Sequence, residues 1–200
     1  MPQSNKTVKF YWDIGSTNSY FALRLLVPLT EKYDAKIDYH PFNLGHVFKS
    51  NNYVLMDEPK AKMRNRLADL NRWRDRYKLP FSMPKNFPIK TSRALKGAIA
   101  MRHWGLEPEY INAIFTAYWE NNEDSIGEYD TLAGIALDLG VRPTEFIERC
   151  EMAETRQALI DSTTEAQQAG VFGAPTMVVD EEIYWGKDRM DFIETHLQAD

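Results

Sequence analysis

The stretch that most constrains this chain is residues 170–189. The Ala174–Pro175 bond opens directly onto a β-branched run, Thr176, Val178 and Val179. Proline cannot donate to a sheet ladder, so it belongs at the first residue of a strand and not inside one. An X-Pro bond also reaches cis at low cost, and folded proteins that fix it so keep it for a purpose. Asp180, Glu181 and Glu182 then make a short acidic turn, and a second brief strand runs to Trp185. The chain therefore ends in a proline-led strand, a tight hairpin and a closing helix.

The N-terminal part supplies the complement. Residues 7–14 are rich in β-branched and aromatic side chains and read as a buried strand. Gly15 to Asn18 form a turn, with Thr17 or Asn18 as the cap of a helix over 19–33. In that helix Tyr20, Leu23 and Val27, with Phe21, Leu25 and Leu26, recur at helical spacing. Pro28 within it predicts a kink. Residues 36–42 alternate and read as a second strand, with Pro41 near its end. Such a β-α-β opening favours a parallel pair with a right-handed crossover.

The middle is helical. An amphipathic helix is expected over 59–78 through Leu67, Leu70, Trp73 and Tyr77, followed by a loop punctuated by Pro80, Pro84 and Pro88. Helices are expected at 92–104, 107–122, 129–139, 142–151 and 153–169. Gly105, Gly140 and Gly170 stand where glycines end three of them. The fold class is α/β: a thioredoxin-like domain over 7–49 and 166–198, interrupted by a large all-helical insertion over 50–165. In a thioredoxin-like domain the loop before the proline faces the start of the first helix, here near residue 16.

Composition narrows the function. The 200 residues are 44% hydrophobic and carry a net charge of −5, with no basic run of the kind that binds nucleic acid. No apolar stretch approaches the ~18 residues of a membrane span. Residues 1–6 are polar and lack the apolar core of a signal peptide, so a cytoplasmic protein is expected. The one cysteine, Cys150, lies in an expected helix, so neither an intramolecular disulfide nor a Cys-x-x-Cys pair exists. His40, His46, His103 and His196 are scattered without metal-ligand spacing, and no metal is expected.

A thioredoxin-like oxidoreductase carries Cys-x-x-Cys after its first strand. This chain has Ser16, Thr17, Asn18 and Ser19 there. Serine hydroxyls cannot exchange disulfides. What remains is a polar side chain at a helix start, where free N–H groups and the helix dipole favour negative charge. That arrangement suits a thiolate brought by another molecule, because such surroundings lower a thiol from its usual pKa of about 8.5. The plainer role for Ser16 is that of a helix cap or turn residue. No Gly-x-Ser-x-Gly elbow is present, and Ser16 has no histidine close in sequence.

Five blocks in order carry a family resemblance. They are Phe10-Tyr11-Trp12-Asp13 leading to Ser16, Ser19 and Tyr20; Pro41-Phe42 with Leu44, Gly45, Val47, Phe48 and Lys49; Asp69-Leu70 with Arg72 and Trp73; Gly170-Val171-Phe172-Gly173 with Pro175 and Thr176; and Trp185-Gly186 with Asp188 and Arg189. Over about residues 8–195 the chain resembles the 2-hydroxychromene-2-carboxylate isomerases. These are relatives of the kappa-class glutathione transferases among DsbA-like thioredoxin folds.

The resemblance implies a glutathione cofactor, a homodimer and a small-molecule substrate, an aromatic 2-oxo acid or chromene. The implied reaction interconverts 2-hydroxychromene-2-carboxylate and an open-chain benzylidenepyruvate in aromatic-hydrocarbon catabolism. By position, Ser16 is implied to hold the glutathione sulfur. Ala174, with Pro175, is implied to pair its backbone with the cysteinyl segment. Lys187 and Asp188, at an expected helix start, are implied to take the γ-glutamyl end, and Lys62 also to contact glutathione. The family's glutathione-binding asparagine falls at Tyr53, with Asn51 and Asn52 just before it, and Asn52 is the candidate replacement.

Thr17 stands where the family has proline, while Asn43 and His46 replace apolar or small residues and point to a more polar cleft. Trp12, Phe48, Tyr53 and Trp185 are candidate walls of an aromatic substrate pocket, as are Tyr11, Phe81 and Trp119. A kappa-like transferase or peroxidase, and a glutathione-binding protein without chemistry, are the alternative functions.

Overall fold

The computed structural model describes residues 6–199. Residues 1–5, on which the expectation of no signal peptide mostly rests, lie outside the described residues. Thr7–Trp12 forms β1, Thr17–Lys32 forms α1 and Lys36–Pro41 forms β2. β1 and β2 are parallel, with Thr7 opposite Lys36. β1 stops at Trp12, two residues before the expected end. Asp13 turns the chain there: its carbonyl accepts from the Ser16 N–H at 3.0 Å and its carboxylate from the Gly15 N–H at 2.8 Å. The cap of α1 is Ser16, not Thr17 or Asn18. Pro28 lies inside α1, which stays helical through Lys32.

The helical middle starts with an element that the sequence reading did not contain, α2 over Leu44–Ser50, capped by the Asn43 side chain. A short 3₁₀ turn, Leu55–Asp57, leads into α3 (Lys60–Tyr77). α4 (Ser92–Met101) runs into a 3₁₀ turn at Arg102–Trp104. α5 (Glu107–Trp119), α6 (Tyr129–Asp138), α7 (Pro143–Glu151) and α8 (Ala153–Gln168) follow. Gly105, Gly140 and Gly170 take positive φ values of 69°, 86° and 80° at helix ends, a backbone region in which glycine is unstrained.

β3 (Thr176–Val179) and β4 (Glu182–Trp185) form the expected hairpin, and α9 (Met190–Gln198) closes the chain. Asp180 and Glu181 both have positive φ, which matches the twist of a two-residue hairpin. The sheet order is β2-β1-β3-β4, with β3 antiparallel to both neighbours. This is a mixed four-stranded, DsbA-like thioredoxin sheet.

β1 is an inner strand, buried on both faces from Phe10 to Trp12, while Thr7 and Lys9 are exposed. Val8, Phe10 and Trp12 point into the main core, while Tyr11 joins Phe42, Val47, Val171 and Ala174 on the other face. The main core also holds Leu95, Ile114 and Leu132 from the helices, so sheet and helical middle share one apolar interior. Arg24 on α1 pairs with Glu120 at the end of α5 at 2.8 Å. Cys150 is buried in α7 and burial pushes its thiol up to about 12, which leaves it unreactive. No helix among the described residues is long and apolar enough to cross a membrane.

Candidate active site

Two connections meet at one end of the sheet: the β1–α1 turn and the loop into β3. Ser16 has extended backbone angles (φ −101°, ψ 114°), which is what frees its side chain to cap α1. Its hydroxyl oxygen accepts from the Ser19 N–H at 3.2 Å and its proton goes to the Ala174 carbonyl at 2.9 Å. Ser16 is buried, and the Ala174–Pro175 bond is cis. Ser19 is fully buried, and its hydroxyl has no hydrogen-bond partner among the described residues.

The proline loop is braced from behind. Thr176 donates from its hydroxyl to the Gly173 carbonyl at 2.8 Å, and the Gly186 N–H donates to the Pro175 carbonyl at 3.0 Å. A Cβ on Gly173 would lie 2.6 Å from Trp185 Nε1, so glycine is what lets the indole cross the loop. Trp185 packs on Phe172 at 5.0 Å and is 49% exposed. Ala174 stands outside β3, and its carbonyl takes the Ser16 hydroxyl instead of a strand partner. A buried hydroxyl donor thus stands at the start of α1 opposite the main chain of Ala174.

Asp13 is the site residue that sequence reasoning missed. Its carboxylate is 2% exposed and ties three segments together. It accepts from the Gly15 N–H at 2.8 Å, the Leu44 N–H at 3.0 Å and the Thr91 hydroxyl at 3.1 Å. Burial raises its pKa to about 6, against the lowering effect of those three donors. The available signal was a carboxylate directly after the aromatic end of the strand and two residues before a glycine.

Asp13 borders a cleft of ≈ 380 Å³. Its apolar walls are Leu44 and Phe48 of α2, Leu55, and Phe87 and Ile89 from the loop before α4. Asn43 also faces it, although its side-chain oxygen is already committed to the His46 N–H at 2.9 Å. Of the seven aromatic residues expected as substrate walls, Phe48 lines this cleft. Tyr53 leans edge-on against Phe48 at 4.7 Å and donates its hydroxyl to Glu58. Trp12 is a correction: it is fully buried in the core against Phe115 and forms no ligand-facing wall. Tyr11, Phe81 and Trp119 are also core. Trp185 lies on the hairpin instead.

The other expected glutathione residues are distributed around this centre. Lys187 donates to Asp69 of α3 at 3.1 Å and sits 4.8 Å from the centre of the Trp73 ring. Lys187 and Asp188 do not start a helix as expected; they form the turn before α9, which begins at Met190. Asp188 pairs with Arg189 at 3.4 Å. Lys62 pairs with Glu58 at 3.0 Å. The Tyr53 hydroxyl first, and then Lys62 and Arg66, hold Glu58 down to about 2. Asn52 has a positive φ of 54° and is exposed, with no side-chain hydrogen bond among the described residues. Ser16, Ala174 and Pro175 are thus brought together, whereas Lys62 and Asn52 stay on the α2–α3 segment.

Residues 7–198 match the DSBA-like thioredoxin domain family. Over 199 residues the chain is 31% identical to a 2-hydroxychromene-2-carboxylate isomerase of Sphingobium xenophagum, covering 96% of this chain and 98% of that protein. The chain belongs to the 2-hydroxychromene-2-carboxylate isomerase family. A member from Pseudomonas sp. (strain C18) is 27% identical, with 94% of this chain and 88% of that one covered. A solved 2-hydroxychromene-2-carboxylate isomerase structure superposes with a TM-score of 0.84 at 27% identity, covering 96% of this chain and 94% of that one. In this chain Ser16, at the start of α1, faces the proline loop.

Proposed function

We propose that this chain is a glutathione-dependent isomerase that interconverts 2-hydroxychromene-2-carboxylate, or a close aromatic relative, and its open-chain benzylidenepyruvate. The observation that carries the reading is the Ser16 hydroxyl, buried at the start of α1 and donating to the Ala174 carbonyl across the site. Relatedness to proteins named for this isomerisation over nearly the whole chain supports it. When bound, glutathione would supply a nucleophilic thiolate for reversible addition to a conjugated 2-oxo acid.

The protein's own part is placement and charge. Ser16 exchanges acceptors, turning its O–H from the Ala174 carbonyl to the sulfur, where the first N–H groups of α1 add to the stabilisation. The Ala174 carbonyl, once released by Ser16, would be free to hold the cysteinyl segment through its N–H. Lys187 fixes the turn carrying Asp188 through its bond to Asp69, and Asp188 takes the γ-glutamyl ammonium. Phe48 and Phe87 present apolar walls to the aromatic ring.

Ser16→Ala tests this reading. Turnover with glutathione and the chromene carboxylate should fall about 10²-fold, the scale for removing one donor that meets developing charge. The KM for glutathione should shift much less, because its backbone contacts remain. Loss of the cap alone costs about 1 kcal/mol of stability, so the variant stays folded. Unchanged turnover in the variant would remove Ser16 from the mechanism. Accumulation of a conjugate from a chlorinated nitroaromatic by the wild type, with no isomerisation, would make it a transferase.

A further inference from the structure

The residues that line the cleft beside α2 include two charged ones, Asp13 and Lys90. They differ in kind. The Asp13 carboxylate is buried and saturated by donors from three segments. Lys90 is exposed and has no carboxylate partner among the described residues. The cations that follow it in sequence are engaged elsewhere: Arg93 pairs with Glu128 and Lys96 with Glu151. The cleft is therefore lined by a buried carboxylate, apolar side chains and one exposed lysine with no ion-pair partner among the described residues.

This polarity admits an amphipathic anion in one direction. An aromatic ring buries against Phe48, Phe87 and Ile89. A carboxylate on that ligand is repelled by Asp13 and attracted by Lys90, so it turns away from the first and toward the second. Phe87, Ile89 and Lys90 lie on one short segment, so the backbone that carries the wall also carries the cation.

We propose that Lys90 binds the carboxylate of an aromatic 2-oxo acid and thereby sets which anionic substrates the cleft accepts and which way round they enter. The proposal rests on the isomerase reading and names the substrate contact within it. Lys90 moves no proton. Its ammonium is a point charge on a flexible stem, suited to holding a carboxylate that is replaced at every turnover. It acts on binding in ground and transition states alike, which shows as a change in KM rather than in kcat.

The test is Lys90→Met beside Lys90→Arg, each measured with a benzylidenepyruvate and with its uncharged methyl ester. Lys90 is exposed and makes no ion pair, so both variants keep the fold. For the acid, Lys90→Met should raise KM about tenfold with kcat within about twofold, and Lys90→Arg should restore most of the loss. For the ester, neither variant should matter. Calorimetric binding of the acid without glutathione supplies a second readout. Wild-type affinity should fall as salt rises, and the Lys90→Met affinity should be nearly flat. Equal loss for acid and ester, unchanged binding of the acid by Lys90→Met, or no binding of the acid by the wild type would each overturn the assignment. If the wild type fails to isomerise the acid yet binds it with this Lys90 dependence, the reaction is wrong and the contact stands.

Discussion

Asp13 has three hydrogen-bond donors and almost no water, and burial wins: its pKa rises from 3.8 to about 6. A carboxyl group with a raised folded pKa holds its proton more tightly in the folded chain than in the unfolded one. Between pH 4 and 6 stability should therefore decline as pH rises, and above that window the buried charge remains a standing cost of roughly 3 kcal/mol. Asp13→Asn removes the titration but leaves one acceptor oxygen for three donors. The wild type should thus exceed the variant most at pH 4.5, with the gap narrowing by about 2 kcal/mol by pH 7.5. Urea midpoints across that range measure it, and a constant gap would mean that Asp13 is not the titrating group. From the sequence Asp13 is one more residue at the end of a strand. Its burial is made by Leu44 and Thr91, which reach it from 31 and 78 residues away. Ser16 was legible as a polar residue at a helix start, because capping is local. That its proton goes to Ala174, 158 residues distant, was not legible; the order of elements predicted only that the proline loop faces the start of α1.

α3 shows what periodicity reaches and where it stops. The helix was expected over nearly its true span, but its apolar positions do not form a buried stripe. Leu70 is its one buried residue, while Leu67 is 48% exposed. A helix so rich in Lys and Arg and so thinly packed depends on side-chain pairs and a few tethers. The strongest tether visible is Lys187, whose side chain is 11% exposed between Asp69 and the Trp73 ring. A double-mutant cycle of Lys187→Met and Asp69→Asn should give a coupling of about 1 kcal/mol. Amide exchange in each single variant should speed up along α3 and remain unchanged in α1, because α3 opens locally. A coupling of zero would make the pair incidental to the placement of the 186–189 turn. α2 escaped the sequence reading for a related reason: seven residues span too few turns to show a helical period, and its cap, Asn43, is also an ordinary loop residue.

At the scale of the molecule, the chain order separates a sheet from a helical middle, and the packing joins them. The interruption between β2 and β3 was legible because strand and helix patterns differ in period along the chain. The continuity of the core was not, since it depends on which helix face meets the sheet. Trp119 is the joint. It is fully buried at the end of α5, stacks on Phe81 at 6.0 Å, and donates its indole N–H to the Ile14 carbonyl at 2.9 Å. Its own carbonyl accepts from the Ser82 N–H at 2.7 Å. Ile14 lies two residues before Ser16, so α5 supports the turn that aims the site hydroxyl. Two blocks sharing such a core should unfold together. Heating should give one transition, with the same midpoint by far-UV circular dichroism and by tryptophan fluorescence. Trp119→Phe keeps an aromatic ring but strands a buried carbonyl, at a cost of about 1–3 kcal/mol. It should lower that single midpoint and leave the transition undivided. A variant that instead unfolds in two steps would show that the helical middle holds together by itself and that the sheet borrows little from it.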